Sequence, residues 1–206
     1  AAEFAEKRKD ARVAREFEVA LPHELSAEQR LEAAREMAQE LADRYGAAVD
    51  FAIHAPHDAS DVRNHHAHVL TTTRVLTIEG LTDKTRVLDA KATGGPEIEV
   101  MRARWAELQN LALERQGHEV RVDEWRGHAR HDVGASTALA HWADVVHCEW
   151  SLGNVVWYSR HRPDRTRLTV RTHLQEASTE FPRRVRQDAV DSWVFVAEHV
   201  RAQVLR

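Results

Sequence analysis

A mixed α+β fold with antiparallel strands follows from three patterns in the chain. Short runs alternate apolar and polar residues, as half-buried strands do. Two long runs repeat apolar residues every three or four positions, as amphipathic helices do. Two of the strand-like runs are joined by a ten-residue polar loop, which makes them antiparallel neighbours. The 206 residues suffice for one domain with a real core, or for a domain with an appendage.

Taken in order, Ala1–Val13 is Ala-rich and charged and reads as the last turns of a helix. Arg15–Leu21 alternates, with Phe17, Val19 and Leu21 on one face and Glu16, Glu18 and Ala20 on the other. Pro22 ends that strand. Ser26–Tyr45 is the clearest helix. Ser26 and Gln29 form a capping box, Leu31, Ala34, Ala38, Leu41 and Tyr45 form the apolar stripe, and Gly46 is the stop. Ala48–His54 alternates again. The loop APHDASDVRN follows, and His65–Thr73 reads as the next strand. Thr77–Pro96 is read as loop, from Gly80, Gly94, Gly95 and Pro96. Glu97–Gln116 is a second helix, with Ile98, Met101, Trp105, Leu108 and Ala112 as its buried stripe. Glu119–Val122 is expected to begin a strand. Beyond it the periodicity weakens. Ala138–Val146 reads as a short helix, Asn154–Tyr158 as a short strand, Leu168–Thr172 as an alternating run and Asp188–Leu205 as a helical stripe.

Composition narrows the class. No apolar run reaches membrane-spanning length, so no membrane insertion is expected. A single cysteine, Cys148, rules out an internal disulfide framework and fits a reducing, cytoplasmic setting. The net charge of -4 does not describe a surface coated for nucleic acid, although it allows a local basic groove. Composition shifts near Val122. Five of the six Trp lie beyond it, and all four Lys (7, 9, 84 and 91) lie before it. That shift marks a junction.

The chemistry concentrates in VDFAIHAPHDASDVRNHHAHVLTTTR, residues 49–74. Pairing across the loop brings His54 next to His66, and His68 lies two residues on along the same face. Three imidazoles on one side of a sheet make a metal-site geometry with positions left open. His65 points to the other face and His57 lies in the loop, so both read as bystanders. The plainer alternative is a group of histidines near a sheet edge that holds no metal.

On the segments AEKRKDARVAREFEVALPHEL, YGAAVDFAIHAPHD, RNHHAHVLTTTR and the helix through ERQGHEVRVD, the chain resembles the MobA/MobL-type relaxases, the DNA-nicking enzymes of conjugative plasmid transfer. The resemblance runs from Ala1 to about Asp123. It implies an antiparallel sheet flanked by helices, as in other enzymes with a His-hydrophobe-His signature. It implies a divalent metal ion, Mg²⁺ or Mn²⁺, on three side chains, and a tyrosine that attacks the DNA backbone to give a 5′-phosphotyrosyl link. Carried over, His66 and His68 are the signature pair around Ala67, and His54 is the third ligand. Arg63 and Asn64 match an Arg-Asn ahead of the pair and are expected to bind DNA phosphate. Family members often have Pro at the place of His65. The implied partners are single-stranded DNA at a transfer origin and other relaxosome and conjugation proteins.

Two departures qualify that expectation. The family's nucleophilic tyrosine lies in an N-terminal segment, and the text here opens in mid-pattern on Ala1. The expected catalytic domain, residues 1–123, is therefore partial: it lacks a strand and its nucleophile. Tyr45 matches a scaffold helix and Tyr158 lies outside the resemblance, so neither is assigned as nucleophile and nicking is expected to be lost. After Asp123 the family pattern stops. Residues 124–206 are left unassigned, as a frame-shifted or recombined end that is expected to fold poorly. No P-loop occurs anywhere in the chain. Two other readings stay open. One is a non-catalytic DNA-binding remnant or regulator. The other is an unrelated His-x-His metal-dependent hydrolase or oxygenase that would recruit Glu16 or Glu18.

Overall fold

The alternation of the first strand-like run is realised as β1 (Ala14–Ala20), which ends just ahead of Pro22. The computed structural model describes residues 11–56 and 62–205. The chain divides into one unit of residues 1–56 and 65–120 and a second of residues 57–64 and 121–206. The helix expected over Ala1–Val13 lies almost wholly outside the described residues.

In the first unit, α1 (Ala27–Tyr45) is opened by the Ser26–Gln29 capping box and closed by Gly46 in the left-handed conformation, φ 59°. β2 (Ala47–His54) and β3 (His66–Thr77) pair antiparallel, with His54 opposite His66 and Ala52 opposite His68. β1 pairs antiparallel with the other side of β3, and β4 (Gly80–Lys84) folds back on the far end of β3. The path is β1-β3-β2, so β3 is the central strand. A 3₁₀ turn (Arg86–Leu88) leads into α2 (Lys91–Glu114).

One face of this sheet is dry and the other open. Val19, Ala67 and Val69 are buried on the dry face, where Met37, Leu41, Tyr45, Trp105 and Leu108 from the two helices complete the core. Ion pairs flank the contact between the helices: Arg104 forks onto Glu40, and Arg115 meets Glu36. Such half-exposed pairs add about 0–1 kcal/mol each, so apolar burial dominates the packing. Two stripe residues are corrected. Leu31 is 39% and Ile98 41% exposed, whereas Ala33, Ala34 and Met37 take up the buried positions on α1. The loop expected at 77–96 is also corrected. Gly80, with φ 108°, turns β3 into β4. α2 begins six residues earlier than the stripe suggested. Gly94 makes this possible, because a Cβ there would lie 2.9 Å from the Leu88 carbonyl oxygen.

The second unit was not expected to fold well, and it does have a core. No strand forms at Glu119–Val122; the first is β5 (Trp125–Arg126), paired with β6 (Arg130–His131). Then come α3 (Val133–Trp142), β7 (Val145–Cys148), α4 (Gly153–His161), β8 (Arg167–Thr172), the short helices α5 (Leu174–Ala177) and α6 (Phe181–Arg184), β9 (Ser192–Phe195) and α7 (Glu198–Val204). β7, β8 and β9 form a parallel sheet in that order. The antiparallel class therefore describes the first unit only. Asn154–Tyr158, read as a strand, is helical. Its β-branched and aromatic residues suit a strand by propensity, but Val155, Val156 and Tyr158 are all buried in this unit's core. Asp188–Leu205, read as one helical stripe, splits into β9 and α7, because pairing with β8 claims Ser192–Phe195.

Candidate metal centre

The open face of the first sheet carries Glu16 and Glu18 from β1, His66, His68 and Leu70 from β3, and Asp50 and His54 from β2. Strand phase puts them there: Ala67 and Val69 are fully buried, so their neighbours along β3 must turn the other way. His66 and His68 are half-buried and His54 is exposed.

The three imidazoles converge. One donor nitrogen from each of His54, His66 and His68 lies within 4.8 Å of the others. Ring centroids are 5.3 Å apart for His54–His66, 4.5 Å for His54–His68 and 5.2 Å for His66–His68. Bonds of about 2.1 Å to a tetrahedral ion would bring the nitrogens to about 3.4 Å. Small side-chain rotations cover that difference. The donor set suits a divalent transition ion, with imidazole favouring Zn²⁺ over Mn²⁺. It fits Mg²⁺ poorly, because Mg²⁺ takes oxygen ligands and keeps its waters.

Sequence reasoning missed the role of one carboxylate. Glu16 Oε1 lies 2.7 Å from His68 Nδ1. With the proton on Nδ1 donated to Glu16, the Nε2 lone pair of His68 is left for an ion. This is the usual way an outer carboxylate orients a ligating histidine. The alternation of β1 hinted at the face; the β1–β3 pairing supplied the contact. Glu18 stands opposite His68 in the register.

The remaining sequence-derived residues divide. Arg63 donates to the Ser192 hydroxyl within the second unit, and Asn64, assigned to the same unit, is buried at 6% exposure. His57 lies outside the described residues. The His65 carbonyl accepts from the Leu21 N–H at 2.9 Å, which ties down the start of β3.

A model of the MobA/MobL family matches residues 1–139, two thirds of the sequence. The chain belongs to the MobA/MobL family. Among curated relatives, the Mobilization protein MobL of Acidithiobacillus ferridurans is 38% identical over 155 residues, covering 63% of this chain and 41% of that protein. The 43 kDa relaxation protein of Salmonella typhimurium is 35% identical over 131 residues, covering 53% of this chain and 34% of that protein. This MobA/MobL chain thus spans about two fifths and one third of the relatives it matches.

Both tyrosines of the MobA/MobL chain are engaged. Tyr45 is 7% exposed, and its hydroxyl donates to Glu97 at 3.1 Å. Burial, then the Glu97 carboxylate, pushes its pKa up to about 12. It ends α1 just ahead of the start of β2, whereas His54 ends that strand, which runs about 23 Å at a strand's rise per residue. Tyr158, 3% exposed, donates to Asp123 at 2.6 Å, and burial raises its pKa too. Among the described residues, no helix is long and apolar enough to cross a membrane.

Proposed function

We propose that this chain is a portion of a mobilisation relaxase and that its first unit holds a divalent transition-metal ion on His54, His66 and His68. The observation that carries the reading is the convergence of three imidazole donors on the open sheet face of a MobA/MobL chain. The names of the two relatives, a mobilization and a relaxation protein, support it. The fold in this reading is that of the His-hydrophobe-His endonucleases.

The substrate is single-stranded DNA at a transfer origin, delivered with other relaxosome proteins. A divalent ion, when bound, supplies a Lewis acid for the non-bridging oxygens of a phosphate. The chain's own residues do the rest. His66 and His68, two strand positions apart with Ala67 between them, fix two donors; His54 adds the third from β2. Glu16 keeps His68 in the tautomer that can ligate. From the resemblance, Arg63 and Asn64 are phosphate contacts that position a strand without reading its sequence; that role requires Arg63 to leave Ser192 and the buried Asn64 to become accessible. The family's chemistry needs a tyrosine oxygen as nucleophile. A buried phenol bonded to a carboxylate is not available for that step, so this portion binds and does not nick.

Calorimetric titration of Mn²⁺ into the full chain tests the metal site. One equivalent should bind, and His66→Ala combined with His68→Ala should abolish it. Unchanged affinity in the double variant removes the assignment. Incubation with a transfer-origin oligonucleotide and Mn²⁺ should give no covalent protein–DNA band in a denaturing gel; such a band would overturn the claim of no nicking. The engaged tyrosines also favour a second reading, a DNA-binding regulator. Oligonucleotide binding that survives a chelator is its signature.

A further inference from the structure

The second unit has a cleft of about 200 Å³ lined by its β5-β6 hairpin, α4 and α6. The wall of the cleft is a run of rings. Trp125 and His131 stand opposite each other in the β5-β6 register and stack, with centroids 3.7 Å apart and planes 11° apart. His131 meets Trp157 edge-on at 4.9 Å, and Trp157 stacks on His161 at 4.7 Å. Trp157 and His161 lie one turn apart on α4 and so share a face. Phe181 adds a further ring from α6.

Polar contacts hold this wall in place. The Trp125 indole N–H donates to Asp123 at 2.8 Å, His131 Nδ1 lies 2.6 Å from the Ser136 hydroxyl, and His161 Nδ1 donates to the Trp157 carbonyl at 2.8 Å. Gly153 brings the start of α4 against the hairpin: its N–H donates to the His128 carbonyl at 2.8 Å, and a Cβ there would run into that oxygen. Trp125, Trp157 and Phe181 pack on the core of this unit yet stay only partly buried. The remainder of each ring lines the cleft and is open to solvent.

The charged part of the lining has one sign. Arg160 from α4 and Arg184 from α6 are exposed at the rim. Arg160 donates to the Arg184 backbone carbonyl at 2.7 Å, which ties the two rim positions together. Arg184 stands 3.5 Å from Glu180, an exposed pair of the kind that contributes little. Among the described residues, no carboxylate lines the cleft itself.

That combination selects a ligand. A cation would meet two guanidinium groups. A small aliphatic anion would use the arginines and leave the rings idle, and a neutral apolar molecule would do the reverse. A flat ring system that carries a phosphate uses both. Bases stack on aromatic side chains whatever their identity, and the arginine fork matches phosphate oxygens. The cleft is smaller than a pocket for a drug-sized molecule, so it takes one base and leaves the phosphate at the rim.

We infer that this cleft binds a nucleotide, with the base against the Trp125–His131–Trp157 wall and the phosphate on Arg160 and Arg184. A free nucleotide and one residue of a single strand offer the same chemistry, and the test separates them. The inference does not rest on the metal reading, because the two sites share no residue.

Saturation-transfer NMR on the full chain in EDTA tests it, with AMP, adenosine, ribose phosphate and a short oligothymidylate as probes. The adenine protons of AMP should receive saturation. AMP should bind more tightly than adenosine or ribose phosphate, since each of those lacks one half of the contacts. Displacement of AMP by the oligothymidylate assigns the cleft to a strand; AMP binding that the oligothymidylate leaves in place assigns it to a free nucleotide. Arg160→Met combined with Arg184→Met, both at exposed positions, should bring AMP down to the affinity of adenosine. Trp157→Leu should weaken AMP and adenosine alike, by about fivefold or more, as loss of a stacking ring does. If Trp157→Leu fails to fold by circular dichroism, the arginine pair decides. No saturation of AMP, AMP binding no tighter than adenosine, or binding unchanged in the folded variants overturns the assignment. AMP binding should be untouched by His66→Ala with His68→Ala, and Mn²⁺ affinity untouched by the arginine pair, so the two readings fail separately.

Discussion

Glu16 and Glu149 show how a single carboxylate acts by what stands beside it. Glu16 is more than half exposed, yet its carboxylate stands 2.7 Å from His68 Nδ1, where it can accept a proton held on that nitrogen. Replacing it by Ala should lower Mn²⁺ affinity by about 10–100-fold, the usual effect of losing an outer-shell partner. Equal affinity in a calorimetric titration would show that His68 needs no such support. Glu149 predicts a pH dependence. Burial would raise its pKa, but the hydrogen bonds from His147 and His173 and the Arg171 charge outweigh that, so in the folded chain it lies below the ordinary value of 4.5. The stability it contributes is therefore fully present above pH 4.5 and is lost as pH falls through the lower, folded value. Glu149→Gln should melt below the parent chain at pH 7, and the gap should close as pH drops below 4.5. A gap independent of pH would sink this account.

The elements differ in how far their own residues dictate them. α1 was legible because everything that defines it is local: the Ser26–Gln29 box, the apolar repeat and Gly46. Leu41, fully buried on α1, should cost about 2–5 kcal/mol when cut to Ala, measured by urea denaturation of the parent and the variant. Gly46 carries a different constraint. At φ 59° any side chain is strained, and a Cβ would come within 3.2 Å of Val75. Gly46→Ala should therefore destabilise, by about 1 kcal/mol or more; a neutral result would mean the turn can relax. α4 was illegible for the opposite reason. Its V-V-W-Y run looks like a strand, and only burial in the second core makes it a helix. The strands β7 and β9, four residues each, are too short to show a period.

For the whole molecule, the two units have separate cores. Leu41 belongs to one and Leu168 to another, with no residue in common. Hydrogen exchange followed by mass spectrometry should show Leu41→Ala loosening α1 and the antiparallel sheet while β7 and β8 keep their protection; loss of protection in both would show that the units unfold as one. The family match, residues 1–139, runs past the division after residue 120 and into the second unit. Local pattern was enough to bring the three histidines together on one sheet face, because strand phase repeats every two residues and the loop joining their strands is short. It was also enough for the resemblance to the MobA/MobL relaxases. It did not reveal that Glu16 meets His68 across fifty-two positions of chain, or that residues beyond 123 close a parallel sheet. Such contacts depend on which strands pair and which faces are buried. Those choices are made by packing between distant segments, where the residues of any one segment leave several partners open.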